Sequence, residues 1–158
     1  MLTIEDMIFR FCVAVVLGAI IGLEREYIGK EAGLRTNMIV SAGAAIFSIV
    51  GVVLPYIIST SPANLSDVIA RNSGFLSVIA NVVVGVGFLG AGIIVKQGIH
   101  VHGLTTAATV WFAAALGILA GIGLVKFGFF AAIFTVALLT LLRHLNLPKL
   151  FKHKVRGD

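Results

Sequence analysis

The run GLEREYIGKEAGLRTN, Gly22 to Asn37, is the densest polar stretch in a chain of 158 residues. Glu24 and Glu26 stand at the end of one apolar segment, and Arg35, Thr36 and Asn37 open the next. A short loop between them could bring the two segment ends together. Carboxylates joined by Thr36 and Asn37 oxygens would suit hydrated Mg²⁺, a hard cation that takes oxygen ligands and keeps several waters. Glu24 or Glu26 paired with Arg35 would instead make a structural ion pair in a solvated loop, which is the simpler expectation. Arg25 and Arg35 together could draw an anion. Asn81, Thr105 and Thr106, uncharged and further along, complete the candidate ligand or partner site. His100 and His102 have no further ligands adjacent, so a metal centre is not expected there. The chain has no HExxH, no GxSxG and no intramembrane carboxylate to orient a histidine, so no enzyme is expected.

The elements that must position these residues follow from composition. Hydrophobic residues are 59% of the chain and charged residues 12%, about half the usual share for a soluble domain. No Asp, Glu, Lys or Arg occurs in 36–66, 72–95, 97–125 or 127–142. A span needs about 20 apolar residues, and five are expected, near 4–23, 37–57, 73–95, 105–122 and 127–142. The fold class is therefore an all-α polytopic membrane bundle over 1–142, followed by a basic tail over 143–158. Loop 24–36 holds Arg25, Lys30 and Arg35; Lys96 follows the third span; the tail adds Arg143, Lys149, Lys152, Lys154 and Arg156. The cytoplasmic side takes such an excess, which puts the N-terminus outside and the C-terminus inside. The net charge of +5 is thus topological and implies no nucleic acid. The tail's cations suit the anionic inner leaflet. No cleavable leader is expected, since Glu5 and Asp6 occupy the place of a positive n-region. Arg10, one turn after Asp6, is expected to snorkel to the outer surface. Cys12 and Trp111 are expected to pack inside, and the loop 59–72, with Pro62, Asn64 and Ser66, to be an exposed connection.

VGVGFLGAG, Val84 to Gly92, fits the glycine spacing of a dinucleotide-binding turn. That reading fails because no strand precedes it and no acid follows about 20 positions on. At about 100° per residue, Asn81, Gly85 and Gly92 share one helix side, while Gly87 and Gly90 share the opposite one. Two smooth sides predict a central, sandwiched third span, because small residues let membrane helices approach closely. Ala14, Gly18 and Gly22 repeat the device in the first span, Asn37, Ser41, Ala45 and Ser48 in the second, and Thr105, Thr109, Ala113, Gly117 and Gly121 in the fourth.

GLERE, AGLRT, GVGFLGAG and HGLTTAATVW, in that order, resemble the MgtC/SapB family of bacterial inner-membrane proteins over residues 18–123. The resemblance carries Glu24, Arg25 and Glu26, then Ala32 to Thr36, then Gly85, Gly87, Phe88, Gly90 and Gly92, then Gly103, Leu104, Thr106, Ala107, Ala108 and Trp111. It implies a multi-pass cytoplasmic-membrane protein tied to magnesium limitation. Members are described as magnesium-transport accessories and, in pathogens, as virulence factors that restrain the ATP synthase. Two departures bear on this. The soluble C-terminal domain of virulence-type members is not expected here, and Phe112 replaces a cysteine found after the tryptophan in some members. The expected function is a regulator of magnesium homeostasis working through helix–helix contacts with a membrane complex such as the ATP synthase. A homodimer is also expected. The alternative is a divalent-cation transporter or channel. No resident cofactor is implied beyond Mg²⁺ itself.

Overall fold

A computed structural model describes residues 2–59, 64–71 and 74–145. The tail expected over 143–158 lies outside them from residue 146 onward, as do Pro62, Asn72 and Ser73. The chain runs α1 (Ile4–Tyr27), α2 (Leu34–Ile58), α3 (Leu65–Arg71), α4 (Gly74–Ile93), β1 (Val95–Gln97), β2 (His100–His102), α5 (Leu104–Ile122) and α6 (Val125–His144). Four of these, α1, α2, α5 and α6, are long and apolar enough to cross a membrane, and α4 contributes the apolar stretch Ser77–Ile93.

Local sequence sets the helix ends. Thr3 and Asp6 form a capping box that satisfies two backbone donors at the start of α1. α1 then continues a full turn beyond the expected end at residue 23. Glu24, Arg25 and Glu26 are good helix formers, so they lie on the helix rather than in a loop. The chain turns at Gly29, whose φ is 69°, while the Gly29 and Lys30 N–H groups donate to Glu26 and Arg25 carbonyls at 3.0 Å. Between α5 and α6 the expected glycine turn is present. Gly123 has φ 96°, its N–H donates to the Ala120 carbonyl, and Leu124 N–H donates to Leu119 at 2.8 Å.

Two short elements depart from the all-helical expectation. β1 and β2 pair antiparallel, Val95 opposite His102 and Lys96 opposite Val101. Gly98 takes φ 62° in the connection, and β-branched Val95 and Val101 suit the strands. The helix of the third expected span, α4, therefore ends at Ile93 rather than at residue 95. The connection expected over 59–72 contains α3.

The core is a three-helix unit in which α1, α2 and α5 all touch one another. Its closeness comes from the small residues. A methyl group on Gly22 would sit 2.6 Å from Leu34 Cα, one on Gly18 would meet the Asn37 carbonyl, and one on Gly121 would sit 2.6 Å from Ser48 Cβ. Gly117 lies against the Ser41 backbone. Ser41 Oγ donates to the Ala14 carbonyl at 2.7 Å, bonding α2 to α1. Without a hydrophobic drive between helices in lipid, dispersion and such bonds supply the contact. The pairings also give direction: Gly22–Leu34 and Gly18–Asn37 make α1 and α2 antiparallel, whereas Gly117–Ser41 and Gly121–Ser48 make α2 and α5 parallel. The glycine and serine faces expected of the first, second and fourth spans are therefore the core seams.

The third span is not sandwiched. α4 lies on the outside of α2 and α5. Of its smooth sides, only Gly90 meets a neighbour, Ala107 Cβ, at 3.7 Å from an added methyl. Gly85, Gly87 and Gly92 have nothing within 4 Å, and Phe88 is 85% exposed. The spacing gives two smooth sides, but α1 and the helix packed on it, α6, sit across the core where they cannot cover the second one. α6 rests on α1 and α5, with Gly128 and Ala132 inward and Phe127, Phe130 and Phe134 stacked along its exposed face.

Three further expectations are refined. Arg10 reaches the end of the bundle where α5 finishes, but part-buried there: its Nη1 donates to the Gly121 carbonyl at 2.8 Å. That carbonyl belongs to the last turn of α5, which has no helical partner for it. Cys12 is exposed, because the inward stripe of α1 is Val13, Ala14, Leu17, Gly18 and Ile21. Trp111 is 46% exposed, for it lies off the Val110, Ala113, Ala114 and Gly117 side of α5.

Candidate functional site

A polar cavity of about 830 Å³ opens at the end of the bundle where α1 finishes and α5 begins. Glu24, Arg25 and Lys30 line it from α1 and the turn after it. His102 and Gly103 come from the hairpin, Thr105 and Thr106 from the first turn of α5, and Arg143 from the last turn of α6. Leu139 and Leu142 of α6 close an apolar side.

Each wall has a local cause. Gly103 takes φ 84° and packs against the Ile93 carbonyl, folding the hairpin back so that α5 starts beside the end of α4. The Gly103 side supplies no cap to α5, whose first helical bond is Ala107 N–H to the Gly103 carbonyl at 2.8 Å. The N–H groups of Leu104, Thr105 and Thr106 precede that bond, and such groups carry the positive end of the helix dipole.

The charged pair is unusual. Arg25 is buried, its side chain 3% exposed, and it meets Glu24 Oε2 at 3.5 Å, where Glu24 is 8% exposed. Neighbouring residues do not face each other on a helix, so the two can meet only at this long distance. One buried atom of each is left over: Glu24 Oε2 and Arg25 Nε have no hydrogen-bond partner. Leaving such a group buried costs about 1–3 kcal/mol or more.

The expected site is thus divided. Glu24, Arg25, Thr105 and Thr106 come together, whereas Glu26, Arg35 and Thr36 line a separate cleft of about 340 Å³ with Glu31 and Leu34. Glu26 Oε2 accepts from the Leu34 N–H at 2.7 Å and so caps α2. It does not pair with Arg35, and the ion pair found among the described residues is Arg25 with Glu24. Asn37 is buried: its Nδ2 donates to the Ala32 and Gly33 carbonyls at 2.8 and 2.9 Å, which holds the loop, while its Oδ1 has no hydrogen-bond partner. Asn81 is exposed and lies in an apolar groove of about 460 Å³ between α2 and α4. Lys30, His102 and Arg143 were not expected in the site. The signal for Lys30 and Arg143 is that the charge count already puts them at one membrane face with Glu24.

Chemically, the cavity is an anion's environment. Three cations, Arg25, Lys30 and Arg143, face one carboxylate. Among the described residues no group of three or more His, Cys, Asp or Glu side chains could hold a metal ion. The donor set does not fit Mg²⁺, which needs converging oxygens free of neighbouring cations.

Apolar helices of spanning length around a small-residue core, with charges gathered at the ends, define a polytopic α-helical membrane protein. The chain belongs to the MgtC family, whose model matches residues 11–147. It is 42% identical over 144 residues to Protein MgtC of Brucella abortus (strain 2308), an alignment covering 91% of this chain and 54% of that protein. Against Protein MgtC of Salmonella typhimurium (strain LT2) it is 39% identical over 136 residues, covering 86% and 52%. The chain thus spans about half the length of the curated relatives it matches. No solved structure matches it.

Proposed function

We propose that the chain is a non-enzymatic regulator of the bacterial inner membrane, linked to magnesium homeostasis, that works by laying the outer side of α4 against a helix of a membrane partner. The observation that carries this is the Gly85 and Gly92 side of α4, where nothing lies within 4 Å of either glycine. Equivalent glycines on α1 and α5 are filled by a neighbouring backbone. The smooth side suits a helix from outside the chain, either of a complex such as the ATP synthase named by the resemblance or of a second copy.

Five crossings are part of this reading. α2 and α5 run parallel, so the chain must return between them. α4, with 20 residues, covers about 30 Å at 1.5 Å per residue. Arg25, Lys30, Arg35, Lys96 and Arg143 gather at one end, and Arg10, Arg71 and Lys126 mark the other, which favours an outside N-terminus. Against conduction, the seams between α1, α2 and α5 are consumed by backbone contact, and the interior holds Leu17, Ile21, Val110 and Leu116 without access.

The test joins flux and cross-linking. Purified protein in liposomes is expected to pass no Mg²⁺, while a photo-cross-linker on α4 in intact membranes captures a partner. Gly85→Leu should abolish that capture and leave the bundle folded. Saturable Mg²⁺ entry lost in Glu24→Ala would overturn the regulator reading in favour of a transporter.

A further inference from the structure

The cavity at the Arg25 end has chemistry that the regulator reading does not use. Four features converge there. The Arg25 guanidinium is 3% exposed and has an unpartnered Nε, with only a long 3.5 Å contact to Glu24. Arg143 and Lys30 stand on the same walls, so cations outnumber carboxylates. The first turn of α5 brings Thr105 and Thr106, and no side chain caps it. The turn is held in place by Gly103 against the Ile93 carbonyl.

We propose that this cavity binds a phosphate-bearing anion, held by Arg25 and Arg143 and by the α5 N-terminus. A guanidinium presents donors in a planar fork that matches phosphate oxygens, and an uncapped helix N-terminus adds backbone donors and a favourable dipole. The buried Arg25 is the stronger argument. Its one carboxylate is its sequence neighbour, which helix geometry keeps too far for a tight pair, so donor capacity remains for an anion from outside. Glu24 offsets one cation and leaves the lining net positive. Leu104, Leu139 and Leu142 beside the cations give an apolar flank that would accommodate an acyl chain. The phosphate could belong to an anionic phospholipid or to free inorganic phosphate. The glycine side of α4 has no part in this site.

The experiment uses the full chain in nanodiscs of phosphatidylcholine. One arm adds inorganic phosphate and reads the shift in melting temperature against equal chloride. The other adds phosphatidylglycerol and counts retained lipids by native mass spectrometry. Binding in one arm is expected, and which arm responds identifies the source. Arg143→Ala, at an exposed position, should weaken binding about tenfold, as loss of a charge-assisted bond does. Arg25→Gln should weaken it further. Arg35→Ala removes an equal charge from the neighbouring cleft and should leave binding unchanged. Binding in neither arm, or an equal loss in Arg35→Ala, would overturn the proposal.

Discussion

Gly117→Ala is the sharpest probe of the core. The added methyl would lie 2.8 Å from the Ser41 carbonyl carbon and 2.9 Å from its Cα, and closer still to its oxygen. Ordinary contact begins at 3.4 Å, so α5 and α2 must part by at least about 0.6 Å, and overpacking of this kind costs about 1–3 kcal/mol. A second loss follows. Ser41 also bonds Ala14 at 2.7 Å on its other side, and moving its backbone toward α1 or away distorts that bond, worth about 0.6–1.7 kcal/mol in a membrane bundle. The sum is roughly 2–5 kcal/mol, and the assay is unfolding in mixed micelles at rising denaturing detergent. Gly85→Ala is the control, since nothing lies within 4 Å of its methyl, and it should unfold with the parent. If Gly117→Ala also unfolds with the parent, or Gly85→Ala is the weaker of the two, the backbone-contact reasoning is refuted.

Arg10→Ala removes the donor from the Gly121 carbonyl at the end of α5. It should cost about 1–2 kcal/mol in the same assay, with Arg10→Lys restoring part. Glu26→Ala exposes the Leu34 N–H; a lost helix cap is worth about 1 kcal/mol, and faster amide exchange confined to the first turn of α2 would report it.

The parts of the fold that could be read in the chain are those where one residue type has one use in lipid. Small residues at every fourth position in α1, α2 and α5 have little purpose except contact, and all three faces became seams. α4 carries the same signal, but spacing describes one helix and says nothing of which neighbours remain to cover it. Hydropathy also ended α1 at Leu23, because charge interrupts an apolar run while leaving helix formation intact. That one turn matters for the site. It rotates Glu24 and Arg25 toward the start of α5 and sends Glu26 toward Leu34, a division between adjacent residues that only the helix phase and the loop geometry determine. Lys30 and Arg143 entered the charge count individually and His102 did not enter it; the placement of His102 beside them depends on a hairpin whose three-residue strands are too short to leave a periodic trace.

The parallel contact between α2 and α5 has a consequence for how the molecule is made. Its two halves lie on opposite sides of α3, α4 and the hairpin, so the seam cannot close until the ribosome has passed Gly121. In the interval α2 must wait in the bilayer with its serine stripe uncovered. Ser41 can already donate to Ala14 of α1, and Ser48 donates within its own helix to the Ala44 carbonyl at 2.8 Å. The nascent hairpin of α1 and α2 is thereby left with no orphan hydroxyl on that stripe, and the unfinished protein can rest in lipid until its last core helix arrives.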